Sequence, residues 1–298
     1  MRKFLFLFLA FAFNACFLFS NKPVGPKTEE PNLPIFTDTP IIKTIVSGKI
    51  DETSGMAVSR NQKDCIWVHE DSDNQPGLHL IGTDGTYKKF VPFAGTNRDW
   101  EDVAIGPGPL EGTNYIYIGD IGDNPEKYGE YAIYRFPEPS ASQREINEFE
   151  TIRFKYPGGI SYDSEALLLD PKTKDLYIIT KIQFNVKVFK LSYPQILNQL
   201  TTAEYLGDIP YFQITAGDIS SDGTEILLKN YIAVYYWKRK STETIYQTLS
   251  RFRDVGVPYI RENQGESIAW DLSAKGFYTL SENGSSSEPV PLYYYFKK

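Results

Sequence analysis

The chain has 298 residues, enough for one large domain or two small ones with a proper core. Hydrophobic residues make up 41% and charged residues 23%, with 22 Gly and 19 Pro, which excludes a disordered or collagen-like chain. The net charge of −7 leaves no excess of Lys and Arg to neutralise phosphates, so no nucleic-acid partner is expected.

The 21 Tyr and 19 Phe, against 2 Met, favour strands over helices. The first segment, Met1 to Ser20, opens on Arg2-Lys3, runs apolar from Phe4 to Phe13, and reaches Asn14-Ala15-Cys16. A basic start before a short apolar run is an export signal, here residues 1–15. Phe13-Asn14-Ala15-Cys16 resembles a bacterial lipobox, although Phe13 and Asn14 depart from its commonest form. Cys16 is therefore the expected lipidation site, which would hold the protein at the cell envelope, with plain secretion as the alternative. With Cys16 consumed, Cys65 has no partner for an intrachain disulfide. Residues 16–40 carry Pro23, Pro26, Pro31, Pro34 and Pro40 and read as a linker.

From Ile41 to Lys298 the chain repeats itself. Five units each open on an acidic residue followed by a small or apolar strand, at Glu52, Glu101, Glu165, Asp218 and Glu266. Their spacings are 49, 64, 53 and 48 residues, close to the period of about 40–50 of propeller repeats. Second strands follow at Cys65–Val68, Tyr115–Ile118, Leu176–Ile179, Glu225–Leu228 and Gly276–Leu280. Third strands follow at Leu78–Ile81, Tyr131–Phe136, Val186–Leu191, Ile232–Trp237 and Pro291–Phe296. Four units have a more polar fourth strand, such as Tyr87–Phe93 and Glu148–Tyr156. The fifth unit ends after three strands, and Ile41–Ile50 is a strand with no unit of its own. The expected fold is therefore all-β: a five-bladed β-propeller of four-stranded blades, with the N-terminal strand closing the last blade. Only Tyr193–Leu200 reads as helical.

In a propeller the first strand of each blade lines the central channel. Its start and the end of the antiparallel second strand share one face. That face collects the acids that open the units, with Glu52, Glu101, Glu165, Asp218 and Glu266 as candidate ligands of a calcium-like ion, which takes oxygen donors. It also collects His69 and Asp71, Lys181, the string Arg98-Asp99-Trp100-Glu101-Asp102, the turn Asp120 to Asn124, and Glu282. His69 beside Asp71 reads as a general acid–base pair or as a hydrogen-bonded loop histidine. Lys181 pairs carboxylates or contacts a substrate. Arg98, Asp99, Asp120, Asp123, Asn124 and Glu282 are candidate ligand-binding residues. A structural alternative stands beside the metal: each acid accepts backbone N–H groups of the adjacent blade and fixes the ring. The Tyr-rich strands, such as Tyr235-Tyr236-Trp237, are either a partner surface or blade-to-blade packing.

Several strings together resemble a family of exported bacterial propeller proteins of unassigned function. They are Glu52, Trp67, His69, Asp71-Ser72, Arg98 to Asp102, Gly119 to Asn124, Pro137-Glu138-Pro139, Asp163 with Glu165 to Leu168, Thr180-Lys181, Gly265-Glu266 and Ser281-Glu282. Asp73 and Ser220 depart from the pattern where Gly and a Ser-Pro pair are expected. More distantly, the Glu-led units are similar to phytase-like and esterase-like propellers, which implies calcium in an acidic mouth acting on phosphoesters. Those have six blades where this chain has five. The expected protein is a monomeric, exported, lipid-anchored propeller. It binds a cation and a small-molecule or protein ligand at its mouth, or hydrolyses phosphoesters there, or serves as an interaction platform.

Overall fold

A computed structural model describes residues 33–45, 50–181, 184–283 and 289–298. The expected export signal, Cys16 and the linker through residue 32 lie outside the described residues.

The short apolar runs form strands in the expected places. The N-terminal β1 (Ile41–Thr44) stands apart in sequence from the blade it completes. Blade one is β2 (Thr53–Val58), β3 (Cys65–Glu70), β4 (Gly77–Gly82) and β5 (Tyr87–Pro92). Blade two is β6 (Trp100–Pro107), β7 (Asn114–Asp120), β8 (Tyr131–Pro137) and β9 (Glu150–Lys155). Blade three is β10 (Ser164–Leu169), β11 (Leu176–Thr180), β12 (Val186–Leu191) and β14 (Glu204–Ile209). The short β13 (Thr201–Thr202), from the connection inside blade three, adds a parallel fifth strand to β9 of blade two. Blade four is β15 (Ile214–Ile219), β16 (Glu225–Asn230), β17 (Val234–Lys238) and β18 (Val255–Val257). Blade five is β19 (Ser267–Trp270), β20 (Gly276–Leu280) and β21 (Pro291–Phe296), and β1 pairs antiparallel with β21 as its outer strand. The five first strands β2, β6, β10, β15 and β19 contact one another in a closed ring. The fold is a five-bladed β-propeller, closed by the N-terminal strand.

The core is five layers, one between each pair of neighbouring blades. Strand β17 shows why its residues are apolar without interruption. Tyr235 and Trp237 face blade three, while Val234 and Tyr236 face blade five. Side chains alternate between sheet faces, and here both faces are covered. The Tyr235-Tyr236-Trp237 run is thus buried blade-to-blade packing and not a partner surface.

Two expectations differ from the structure. Tyr193–Leu200 forms turns and no helix. The Gln195 side chain there is tied down, accepting from Arg135 and donating to the Lys174 carbonyl. The α-helix among the described residues is α1 (Ile245–Ser250). Thr244 and Gln247 cap it reciprocally, and Ile245 and Leu249, four apart, bury one face between blades three and four. The end of the expected linker is also part of the domain. Thr37 N–H donates to the Phe296 carbonyl (2.9 Å), and Phe36 is buried among Tyr236, Trp270 and Phe277. An aromatic residue among prolines had an apolar slot to fill, so the domain begins before residue 41.

Candidate metal centre at the acidic mouth

The mouth is built by a recurring irregularity. In blades one to four the first strand carries a bulge, where the pairing register slips at Ser54, Glu101, Glu165 and Thr215. Glu266, just before β19, holds the corresponding place in blade five. A bulge adds one residue to its strand and turns that side chain out of the ladder. The inner ring of the mouth is therefore Ser54, Glu101, Glu165, Thr215 and Glu266, with hydroxyls in blades one and four.

This corrects the alignment of units on their first acid. Glu52 lies two residues before the ring position, is exposed, and accepts from Asn74 Nδ2 (2.6 Å). Asp218 lies three residues beyond the ring position in blade four. Its carboxylate accepts from Trp270 N–H (2.7 Å) and Ile219 N–H (2.7 Å). Burial pushes the Asp218 carboxyl up to about 6. It joins blade four to blade five and stands outside the acidic groups of the mouth.

Two groups of carboxylates at the mouth share Glu101. Asp71, Asp99 and Glu101 bring one oxygen each within 4.8 Å of one another, and so do Glu101, Asp163 and Glu165. The positions follow from the chain. Glu101 and Glu165 are bulge residues, Asp99 and Asp163 each stand two residues before them, and Asp71 follows β3. The Asp-x-Glu spacing common to blades two and three was the readable signal for Asp163, which alignment on the leading glutamate passed over. Glu101, Asp163 and Glu165 are buried. Asp163 Oδ2 and Glu165 Oε2 are buried with no hydrogen-bond partner. Gly122 lets the Asp99 and Glu101 carboxylates pack against its backbone, since a Cβ there would lie 2.1 Å from Glu101 Oε1 and 2.7 Å from Asp99 Oδ2.

Crowded carboxylates raise one another's affinity for protons. Burial, then Asp71, Asp163 and Asp120, push the Asp99 carboxyl up to about 6. Glu101 is raised by burial and then by Glu165 and Asp71. Glu165 is raised by burial, although Lys181 opposes the shift. Asp71 and Asp163 are also raised, chiefly by burial. On the blade-five rim burial and Glu266 push Glu282 up to about 8, and Glu282 accepts from Gln264 Nε2 (2.6 Å). Lys181 forms an ion pair with Glu165 and lies 3.7 Å from Glu266 Oε1. Burial pulls its ammonium down, but those two carboxylates together hold it well above the usual lysine range.

Other sequence candidates are spent on structure. His69 is fully buried, its ring edge-on to Trp100 at 5.6 Å, and burial lowers it to about 4. It packs as a buried ring against Trp100 of blade two, with its Nε2 unpaired among the described residues. Arg98 stacks on Tyr128, donates to the Glu130 carbonyl (3.0 Å) and lies 3.7 Å from Asp120. Asp120 accepts from Asp99 N–H (3.1 Å) and Tyr134 OH. Asp123 accepts from Lys127 N–H, Tyr128 N–H and Tyr131 OH, which closes the loop after β7. Asn124 is exposed on that loop. The residue next to Glu101 also fixes the ring. Asp102 is fully buried and accepts from Val103 N–H (2.8 Å), Leu167 N–H (2.9 Å) and Gly217 N–H (3.4 Å), joining blades two, three and four.

No family model and no curated protein matches the chain. Solved structures that the chain matches include the crystal structure of a functionally unknown protein from Desulfotomaculum acetoxidans DSM 771. It is 16% identical with a TM-score of 0.43, and the match covers 77% of this chain and 63% of that one. No helix among the described residues is long and apolar enough to cross a membrane.

Proposed function

We propose that the mouth holds a divalent cation of the calcium class on Asp71, Asp99, Glu101, Asp163 and Glu165, and presents it to a ligand. One observation carries the reading. Asp163 Oδ2 and Glu165 Oε2 are buried without a hydrogen-bond partner, in a group drawn together within 4.8 Å. A buried carboxylate oxygen left unmatched costs several kcal/mol, on the order of the penalty for any unpaired buried charge, and a cation removes that cost. The donors are all carboxylate oxygens, which suit a hard cation. Calorimetric titration of EDTA-treated protein with calcium chloride is the test. Saturable binding is expected, and a flat titration with both calcium and magnesium rejects the site.

The compartment belongs to the same proposal. Residues 1–15 direct export and Cys16 carries the lipid, so the mouth works at the cell envelope. Metabolic labelling with a radioactive fatty acid should mark the wild-type chain and not Cys16→Ala. Equal labelling of the two removes the anchor.

A further inference from the structure

Lys181 is a feature of the mouth that the cation reading leaves unexplained. It follows β11, and its backbone N–H donates to the Asp163 carbonyl (3.0 Å), so its stem starts at the rim. Its ammonium pairs with Glu165 Oε1 and lies 3.7 Å from Glu266 Oε1. It also lies 5.7 Å from the centre of the Tyr231 ring, whose hydroxyl donates to the same Glu266 oxygen. Two carboxylates and an aromatic ring around one positive charge make a cation position. That position adjoins the acidic groups, because Glu165 belongs to both. Its Oε1 meets Lys181, while its buried Oε2 has no hydrogen-bond partner.

Resting on the reading of the mouth as a divalent-cation site, we infer that the Lys181 ammonium fills a second cation position between Glu165 and Glu266, and so limits the mouth to one divalent ion. That ion sits on Asp71, Asp99, Glu101, Asp163 and the Oε2 of Glu165 that Lys181 leaves free. The lysine is a covalently attached single charge where a second divalent ion would otherwise complete a pair. An ammonium on a flexible stem is a compact point charge suited to this place. Removing its charge leaves Glu165 and Glu266 facing each other with no counter-ion, and a second divalent ion then becomes the most direct way to neutralise them.

The test counts ions. The full chain is stripped with EDTA and dialysed against calcium at pH 7.5, and bound calcium per chain is measured by atomic emission beside a calorimetric titration. Wild type should bind one ion and Lys181→Met two. Lys181→Arg, which keeps the charge, should bind one. The double variant K181M/E266Q, which removes a ligand of the second position, should return to one. Lys181→Gln is carried in parallel should the methionine variant fail to fold. A wild-type count of two overturns the inference without any variant, and so does a folded Lys181→Met or Lys181→Gln that still binds one ion. A wild type that binds none rejects the cation site itself, a result distinct from failure of the lysine's role.

Discussion

Glu101 and Asp102 are adjacent, and the bulge between Trp100 and Asp102 sends them to different tasks. Replacing Asp102 by Asn keeps the shape but turns one acceptor oxygen into an N–H₂ group. The carboxylate serves three backbone donors, and two of them, Leu167 N–H and Gly217 N–H, belong to other blades. At least one of these donors would be left unmatched in a fully buried place, at about 1–3 kcal/mol for each. We expect Asp102→Asn to lose about 2–3 kcal/mol, which at an m value of about 3 kcal/mol/M lowers the urea midpoint by roughly 1 M. Its calcium affinity should stay within about threefold of wild type, since Asp102 reaches no ion ligand. Glu101→Gln should do the reverse. It relieves a crowded buried acid, so the ion-free protein should be as stable as wild type or more so, while calcium affinity falls at least tenfold. Urea unfolding followed by Trp fluorescence, with and without calcium, measures both. The reasoning fails if Asp102→Asn is as stable as wild type, or if it loses calcium while Glu101→Gln keeps it.

Stability without calcium should fall as pH rises, and the stabilisation by calcium should grow. The raised carboxyls, Asp99 to about 6 and Glu282 to about 8, bind protons in the folded state that the unfolded chain has already released. Their contribution is therefore complete below about pH 4 and is lost as pH rises through those values. His69, lowered to about 4, acts the other way but only below about pH 6.5, where the unfolded ring takes up its proton. From pH 6.5 to 8 the Tm in EDTA should fall, and the gain on adding calcium should widen as the ion displaces protons. A gain that is constant or shrinks over that range contradicts the carboxylate site. Phe36→Ala should cost about 3–5 kcal/mol, the usual penalty for truncating a buried Phe, because its ring fills the gap among Tyr236, Trp270 and Phe277. A chain starting at Thr39 should melt below one starting at Leu33 for the same reason, and equal melting temperatures would return Phe36 to the linker.

Much of this protein was legible without coordinates. Blade number, strand order and closure by Ile41–Thr44 follow from hydrophobic runs at a repeat of roughly fifty residues, because the inner strands of each blade bury both their faces between neighbouring blades. The crowding of acids at one mouth follows as well, since antiparallel pairing brings strand starts and strand ends to one face. The identity of the ring residues needed the tertiary structure. A single bulge residue reverses the side-chain alternation, so an acid-first alignment put Glu52 and Asp218 where Ser54 and Thr215 stand. The same reversal separates Glu101 in the mouth from Asp102 in the wall. The tasks of His69, Arg98, Asp120 and Asp123 were likewise decided by packing, because a polar side chain near a site either faces it or supports a loop. Only the partners around each one distinguish the two. Phe36 shows the limit in the other direction. Composition marked its segment as linker, and one ring-sized gap between blades four and five made it part of the core.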